Sequence, residues 1–339
     1  AMLANQLAEG QASSGAAPAQ GRPDELPWDP DRVDDDVLAL MFVACHPVLA
    51  PEARVALTLR VVGGLSSEEI ARAFLVPVPT VQARITRAKK TIASAGVAFE
   101  LPPSGKRHER LGGVLSVLYV IFTEGSTATA GDRLLRPELA YEAIRLARVL
   151  AALLPDEPEV HGLLALLELT AARFPARTAP DGEAVLLEDQ DRRQWDRSGI
   201  RRGLAALGRT SAAKRGLGPY GLQAAIAACH ASASSVSDTD WERVVLLYEA
   251  LERVAPSPVV ELNRAVAVAM ADGPRGALPI VDELAASGRL SQSYLLPSVR
   301  GELLARLGRT AEAQAELERA ALLCRNTRER SVLRRKAAA

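Results

Sequence analysis

The sequence has little cysteine, few aromatics and no net charge. Three cysteines in 339 residues, Cys45, Cys229 and Cys324, are too few and too scattered for a disulfide framework. A reducing, cytoplasmic setting is expected, and no charged, apolar, small-residue signal sequence is read at the start. The most apolar stretch, "VLAALLPDEPEVHGLLALLEL", is broken by Pro155 and a cluster of acids, so it does not span a bilayer as one helix and no membrane partner is expected. Aromatics make up 4% and apolar residues 48%. A core of Leu, Val and Ala follows, as in packed helices, and an all-α fold is predicted. The length suits two or three modules.

Forty-one Lys and Arg balance forty-one Asp and Glu, which argues against a protein that coats nucleic acid over its whole surface. Locally the balance breaks. From Pro51 to Ala95 seven cations face three Glu, a net of +4, whereas Arg22 to Leu40 carries seven acids against two arginines, a net of −5. Positive charge is therefore gathered where a two-helix unit lies.

Residues 1–35, with "GQASSGAAPAQGRPDELPWDPD", read as an acidic, flexible linker, and linkers join things, so a further domain is expected upstream. Helical spacing starts at Asp36 and breaks at Pro51 and at Gly63-Gly64. Ser66 and Glu69 then stand at capping-box spacing, so a helix starts at Ser66 or Ser67. Pro77 and Pro79 stop it but suit a first turn, so a second helix starts near Val78. Val78, Val81, Ile85, Ala88 and Ile92 share its apolar face, which leaves Thr80, Gln82, Arg84, Arg87 and Lys90 outward. A short turn, Ile70 and Phe74 as buried anchors and a polar, cationic second helix match a helix-turn-helix, in which that helix enters the major groove of DNA. The competing reading is an amphipathic hairpin with a solvated basic face.

After the break "LPPSGKRHERL" the helical pattern continues to the end. "LLYEALERV", "LPIVDELAA" and "AQAELERAA" start at 246, 278 and 313, near the 34-residue period of helical-pair repeats. "LLARLGRTAEAQAELERAAL" resembles one tetratricopeptide (TPR) unit, with Leu307-Gly308 in its first helix and Ala313 and Ala320 in its second. Two stretches stand apart. "DGEAVLLEDQDRRQWD" sets Asp189, Asp191, Arg192, Arg193 and Asp196 around Trp195, and "GPYGLQAAIAACHA" offers Ala225, Ala228 and Ala231 for close helix packing. The acids of the first stretch come with no nucleophile, phosphate loop or metal-ligand spacing, so no enzyme activity, no metal and no cofactor is expected. His46 and His230 each follow a cysteine, but the two pairs lie far apart in sequence.

"HPVLAPEARVALTLRVVGGLSSEEIARAFLVPVPTVQARITRAKK" resembles domain four of an extracytoplasmic-function sigma factor, group IV of the sigma-70 family, the module that reads the upstream promoter hexamer. "DQDRRQW", "GPYGLQAAIAACHA", "PSPVVELNRAVAVA" and the closing repeat resemble the subgroup with a long TPR-type C-terminal extension. The likeness runs from about Asp36 to Arg335. It implies promoter DNA and core RNA polymerase as partners. Gln82, Arg84 and Arg87 would lie along the promoter-reading helix, beside the outward Thr80. Arg54, Arg60, Lys89 and Lys90 would be phosphate or polymerase contacts. The implied organisation is a linker (1–35), domain four (36–97), a helical extension with the DQDRRQW block (98–236) and TPR-like repeats (237–339). The domain that melts the downstream promoter element is not matched, so the chain by itself is not expected to initiate transcription. "FTEGSTATAG" also departs from the pattern, with Ser126 where an aromatic is expected.

The resemblance opens two readings of the acidic linker, a strand mimic inside the polymerase channel or a solvated spacer. It also opens two for Asp189, Asp191, Arg192, Arg193 and Trp195: an inter-module contact that seats the extension on domain four, or a brace within the extension. A different class of function stays in play, a TPR-type peptide- or ligand-binding protein whose helix-turn-helix is structural.

Overall fold

A computed structural model describes residues 30–74, 76–127, 134–179, 183–212 and 216–338. Among them the backbone forms fifteen α-helices, three short 3-10 turns and one isolated bridge between Thr178 and Ala184, with no strand. The fold is all-α.

Helix α1 (Pro30–Ala44) opens on a proline, whose missing N–H is harmless in a first turn. It therefore starts before Asp36, and residues 30–35 are helix rather than linker. The rest of the acidic segment, 1–29, lies outside the described residues. Helix α2 (Pro51–Val61) buries Val55 to Leu59 and ends where the Leu65 amide returns to the Leu59 carbonyl at 3.0 Å. Gly64 closes that turn at φ +74°, a conformation that a Cβ disfavours. Helices α3 (Ser67–Phe74) and α4 (Val78–Ser94) follow.

Helices α5 (Ser104–Ser126), α6 (Pro137–Leu153) and α7 (Pro158–Ala171) carry the core onward. The apolar stretch that straddles α6 and α7 is split at Pro155, and among the described residues no helix is long and apolar enough to cross a membrane. Helix α7 is buried on every side from Val160 to Leu169, with α8 (Arg197–Ala212) and α9 (Pro219–Ser232) packed against it. A Cβ on Gly162 would sit 2.7 Å from the Gly221 amide nitrogen, so glycines set the tightest approach of α7 and α9. Of the alanines expected to allow it, Ala225 and Ala231 are buried and Ala228 is half-buried.

One apolar cluster runs from Leu38 in α1 to Ala224 in α9, with buried members on both sides of the segment 97–110. Two polar bonds, one part-buried and one buried, cross the same junction. Arg110 Nη2 donates to the Phe42 carbonyl at 2.9 Å, and Arg136 Nη1 donates to the Ala73 carbonyl and pairs with Glu124.

The last six helices, α10 (Trp241–Val254), α11 (Pro258–Ala271), α12 (Pro274–Ala286), α13 (Leu295–Arg306), α14 (Thr310–Leu323) and α15 (Thr327–Ala337), each pack on the next. The three sequence repeats fall in α10, α12 and α14, alternate helices of this series. Leu307-Gly308 is a correction: α13 stops at Arg306, because Gly308 at φ +76° ends the helix rather than continuing it. Helix α15 folds back on the extension, with Arg328 and Arg335 donating to the Glu183 carboxylate at 2.7 and 2.9 Å.

Candidate nucleic-acid interface

The two-helix unit is built from local chemistry. The Ser66 amide donates to Glu69 Oε2 at 2.7 Å and the Glu69 amide to Ser66 Oγ at 3.1 Å, a closed capping box. The bond from the Ser66 amide holds the Glu69 carboxyl below its ordinary range. Past Phe74 the Val76 amide returns to the Ala71 carbonyl at 3.0 Å. Pro77 then caps α4 in an extended conformation, with Pro79 in its first turn. Val81, Ile85 and Ala88 are buried, and Val78 and Ile92 half-buried, against α2 and α3. Ile70 is buried as expected, whereas Phe74 is half-buried.

The opposite face of α4 carries the predicted readers. Gln82, Arg87, Lys89 and Lys90 are exposed, while Thr80 and Arg84 are half-buried. Arg84 lines a cleft of about 300 Å³ with Phe74, Val55, Val117 and Val120, so its stem lies on apolar surface between the two-helix unit and α5. Arg87 is loosely tied to its own helix, Nε to the Ala83 carbonyl at 3.3 Å. Among the described residues every ion pair lies beyond residue 100, so none of these four cations is neutralised by an acid. Cations held without acid partners beside an exposed Gln are what phosphate and base-edge contact require.

Arg54 and Arg60 are placed differently. Arg54 donates to the carbonyls of Leu49 and Pro47 at 2.9 and 3.1 Å, and Arg60 to that of Leu65 at 3.0 Å. Both side chains already hold the loops that flank α2. Arg110 and Arg136, which tie the unit to α5 and α6, escaped the sequence reading, because a bond across 63 residues leaves no local spacing to detect.

The DQDRRQW block lies away from this unit. Trp195 is buried among Leu169, Ala172, Ala176, Ile200 and Ala231. Arg192 is 8% exposed and donates through Nη1 to the carbonyls of His230 and Ala233 at 2.5 and 2.7 Å, which closes the C-terminal end of α9. Asp191 caps the short turn at Arg192–Gln194 and pairs with exposed Arg193 at 2.9 Å; Asp189 is exposed. The partners of Arg192 and Trp195 lie between Leu169 and Ala233. These contacts join α7, α8 and α9, as the reading of the block as a brace within the extension expects.

Cys45 is buried against Thr58 Oγ1 at 3.4 Å, and burial pushes its thiol up to about 11. Burial also lowers His46 below its ordinary value. Among the described residues no group of three or more His, Cys, Asp or Glu is gathered to hold a metal.

Residues 39–92 match Sigma-70, region 4, and residues 110–211 match a family of unknown function (DUF6596). An uncharacterized protein of Rhizobium meliloti (strain 1021) is 47% identical over 309 residues, covering 90% of this chain and 72% of its own length. No solved structure matches. The chain therefore belongs to one family with that rhizobial protein, and its residues 39–92 match region 4 of sigma-70 factors, a DNA-binding region of promoter recognition.

Proposed function

We propose that this chain is the upstream-promoter reader of an extracytoplasmic-function sigma factor, group IV of its family, working in the cytoplasm with core RNA polymerase. In this reading α4 enters the major groove. Gln82 and Arg84 meet base edges, Thr80 and Arg87 lie beside them, and Lys89 and Lys90 meet phosphates. The row of acid-free cations on a two-proline, capping-box helix-turn-helix carries the assignment. Arg54 and Arg60 are assigned secondary contacts, made by releasing loop carbonyls.

The units proposed are residues 36–97 as domain four, 98–236 as a helical extension and 237–339 as TPR-like repeats. The extension supports promoter reading by packing on domain four. The Arg136 and Arg110 bonds and the shared apolar cluster favour this. No catalytic step is assigned, since Asp191 and Asp196 are engaged with Arg193 and Arg202. The test is holoenzyme binding to promoter DNA with Arg84→Ala in the complete protein. Unchanged affinity together with unchanged base preference would sink the assignment.

A cleft of about 540 Å³ between the turn at 186–188 and helices α11, α13 and α15 favours a second role, a TPR-like ligand-binding one. It becomes the main reading if the complete protein fails to bind core polymerase.

A further inference from the structure

The extension holds two arginines against one buried indole; Asp238 acts on Arg192 through its charge but forms no ion pair with it, and no carboxylate pairs with Arg173 among the described residues. The guanidinium carbons of Arg173 and Arg192 lie 5.4 and 4.8 Å from the centre of the Trp195 ring. Arg173 bonds only weakly, Nε to Gln190 Oε1 at 3.4 Å, and its two terminal nitrogens make no hydrogen bond among the described residues. Arg192 Nη2, Trp195 Nε1 and His230 Nδ1 are buried and also without a hydrogen-bond partner among the described residues. Neither arginine forms an ion pair with a described carboxylate; the neighbouring pairs belong to Arg193 and Arg202.

Two guanidinium ions brought together out of water lose hydration and repel each other, and a fold ordinarily answers with a carboxylate. Here the strain falls on the cations: burial, then Arg177 and Arg192, pulls Arg173 down to about 10. Burial, then Arg173 and Arg192, pulls His230 down to about 4, so its ring is neutral near pH 7 and one tautomer donates from Nδ1. The terminal nitrogens of Arg173, together with Arg192 Nη2, Trp195 Nε1 and His230 Nδ1, are thus left as donors without a described partner.

We propose that Arg173, Arg192, Trp195 and His230 form a binding site for the oxyanion of a small ligand, a carboxylate or a phosphate, whose apolar body lies in the adjoining cleft. The open fork of Arg173 suits two oxygens at once, and the indole and imidazole N–H groups each suit one more bond. The cleft adjoins through Trp241, which sits edge-on to His230 at 5.2 Å and lines the 540 Å³ space with Leu187, Met270 and Arg306. That volume is in the range of sites for metabolite-sized ligands. The proposal is independent of the promoter-reading assignment.

The test is thermal melting and calorimetric titration of the full chain with sodium acetate, sodium hexanoate or sodium phosphate at constant ionic strength, with sodium chloride as reference. A saturable rise in melting temperature beyond chloride is expected. Hexanoate above phosphate identifies a carboxylate ligand, and phosphate above hexanoate a phosphate. Arg173→Gln should weaken the apparent affinity at least tenfold. If that variant does not fold, Arg173→Lys, which keeps the charge but loses the fork, should show the same direction of change. The proposal is overturned by responses equal to chloride, or by saturable binding that is unchanged in the folded Arg173 variant, an adventitious ion only.

Discussion

The Arg136 guanidinium, 5% exposed, donates to the carbonyl of Ala73, the next-to-last residue of the first helix of the helix-turn-helix, while pairing with Glu124. A side chain from the start of α6 thus secures the end of α3 just before the turn that aims α4. The bond is charge-assisted and buried, so removing the guanidinium takes a buried donor away from the Ala73 carbonyl and from Glu124.

Arg136→Ala should therefore lower stability by about 3 kcal/mol, on the scale of breaking one side of a buried pair. Denaturant melts measure this, and holoenzyme binding to promoter DNA should weaken as well, although Arg136 lies off the α4 surface. Loss of stability without loss of DNA binding would show that α3 needs no help from the extension.

On α4 the outward residues should divide by role. Gln82→Ala and Arg84→Ala are expected to relax preference at particular base pairs, at about 1–3 kcal/mol of discrimination each. Lys89→Ala and Lys90→Ala should weaken all sequences alike and flatten the slope of log affinity against log salt by about one unit each. Binding of the holoenzyme to promoter variants across a salt series separates the two patterns.

The DQDRRQW block should behave as a brace. Trp195→Ala removes an indole that is 3% exposed and is expected to cost about 3–5 kcal/mol. Arg192→Ala releases two carbonyls at the end of α9 and should cost about 1–3 kcal/mol. Arg193→Ala, on the exposed side, should leave the melt unchanged. Thermal melts beside run-off transcription distinguish this from a junction, for which Arg192→Ala would fold normally and lose transcription first.

His230 supplies a pH dependence. Its folded value is about 4 against an ordinary 6.5, because burial and then Arg173 and Arg192 disfavour the imidazolium. The unfolded chain then binds the extra proton, so the stability due to the neutral ring is complete above pH 6.5 and declines as pH falls toward 4. A loss of about 2–3 kcal/mol is expected across that window. Melts at pH 7, 5.5 and 4.5 should show it, and His230→Asn should flatten the curve.

What the sequence determined by itself was governed by near neighbours along the chain. The Ser66–Glu69 box and the Pro77 and Pro79 start of α4 are interactions over three or four residues, so spacing alone specified them. Alternation of apolar and cationic positions likewise specified which face of α4 turns outward, since helical geometry is fixed at 3.6 residues per turn. Tertiary structure decided the rest. It tied Arg54 and Arg60 to carbonyls and laid the Arg84 stem along a cleft shared with α5. It turned Arg192 of the DQDRRQW block toward the carbonyls at the end of α9. The Arg136 to Ala73 bond spans 63 residues, and no local pattern encodes such a distance, because it exists only once packing of α3, α5 and α6 has brought donor and acceptor together.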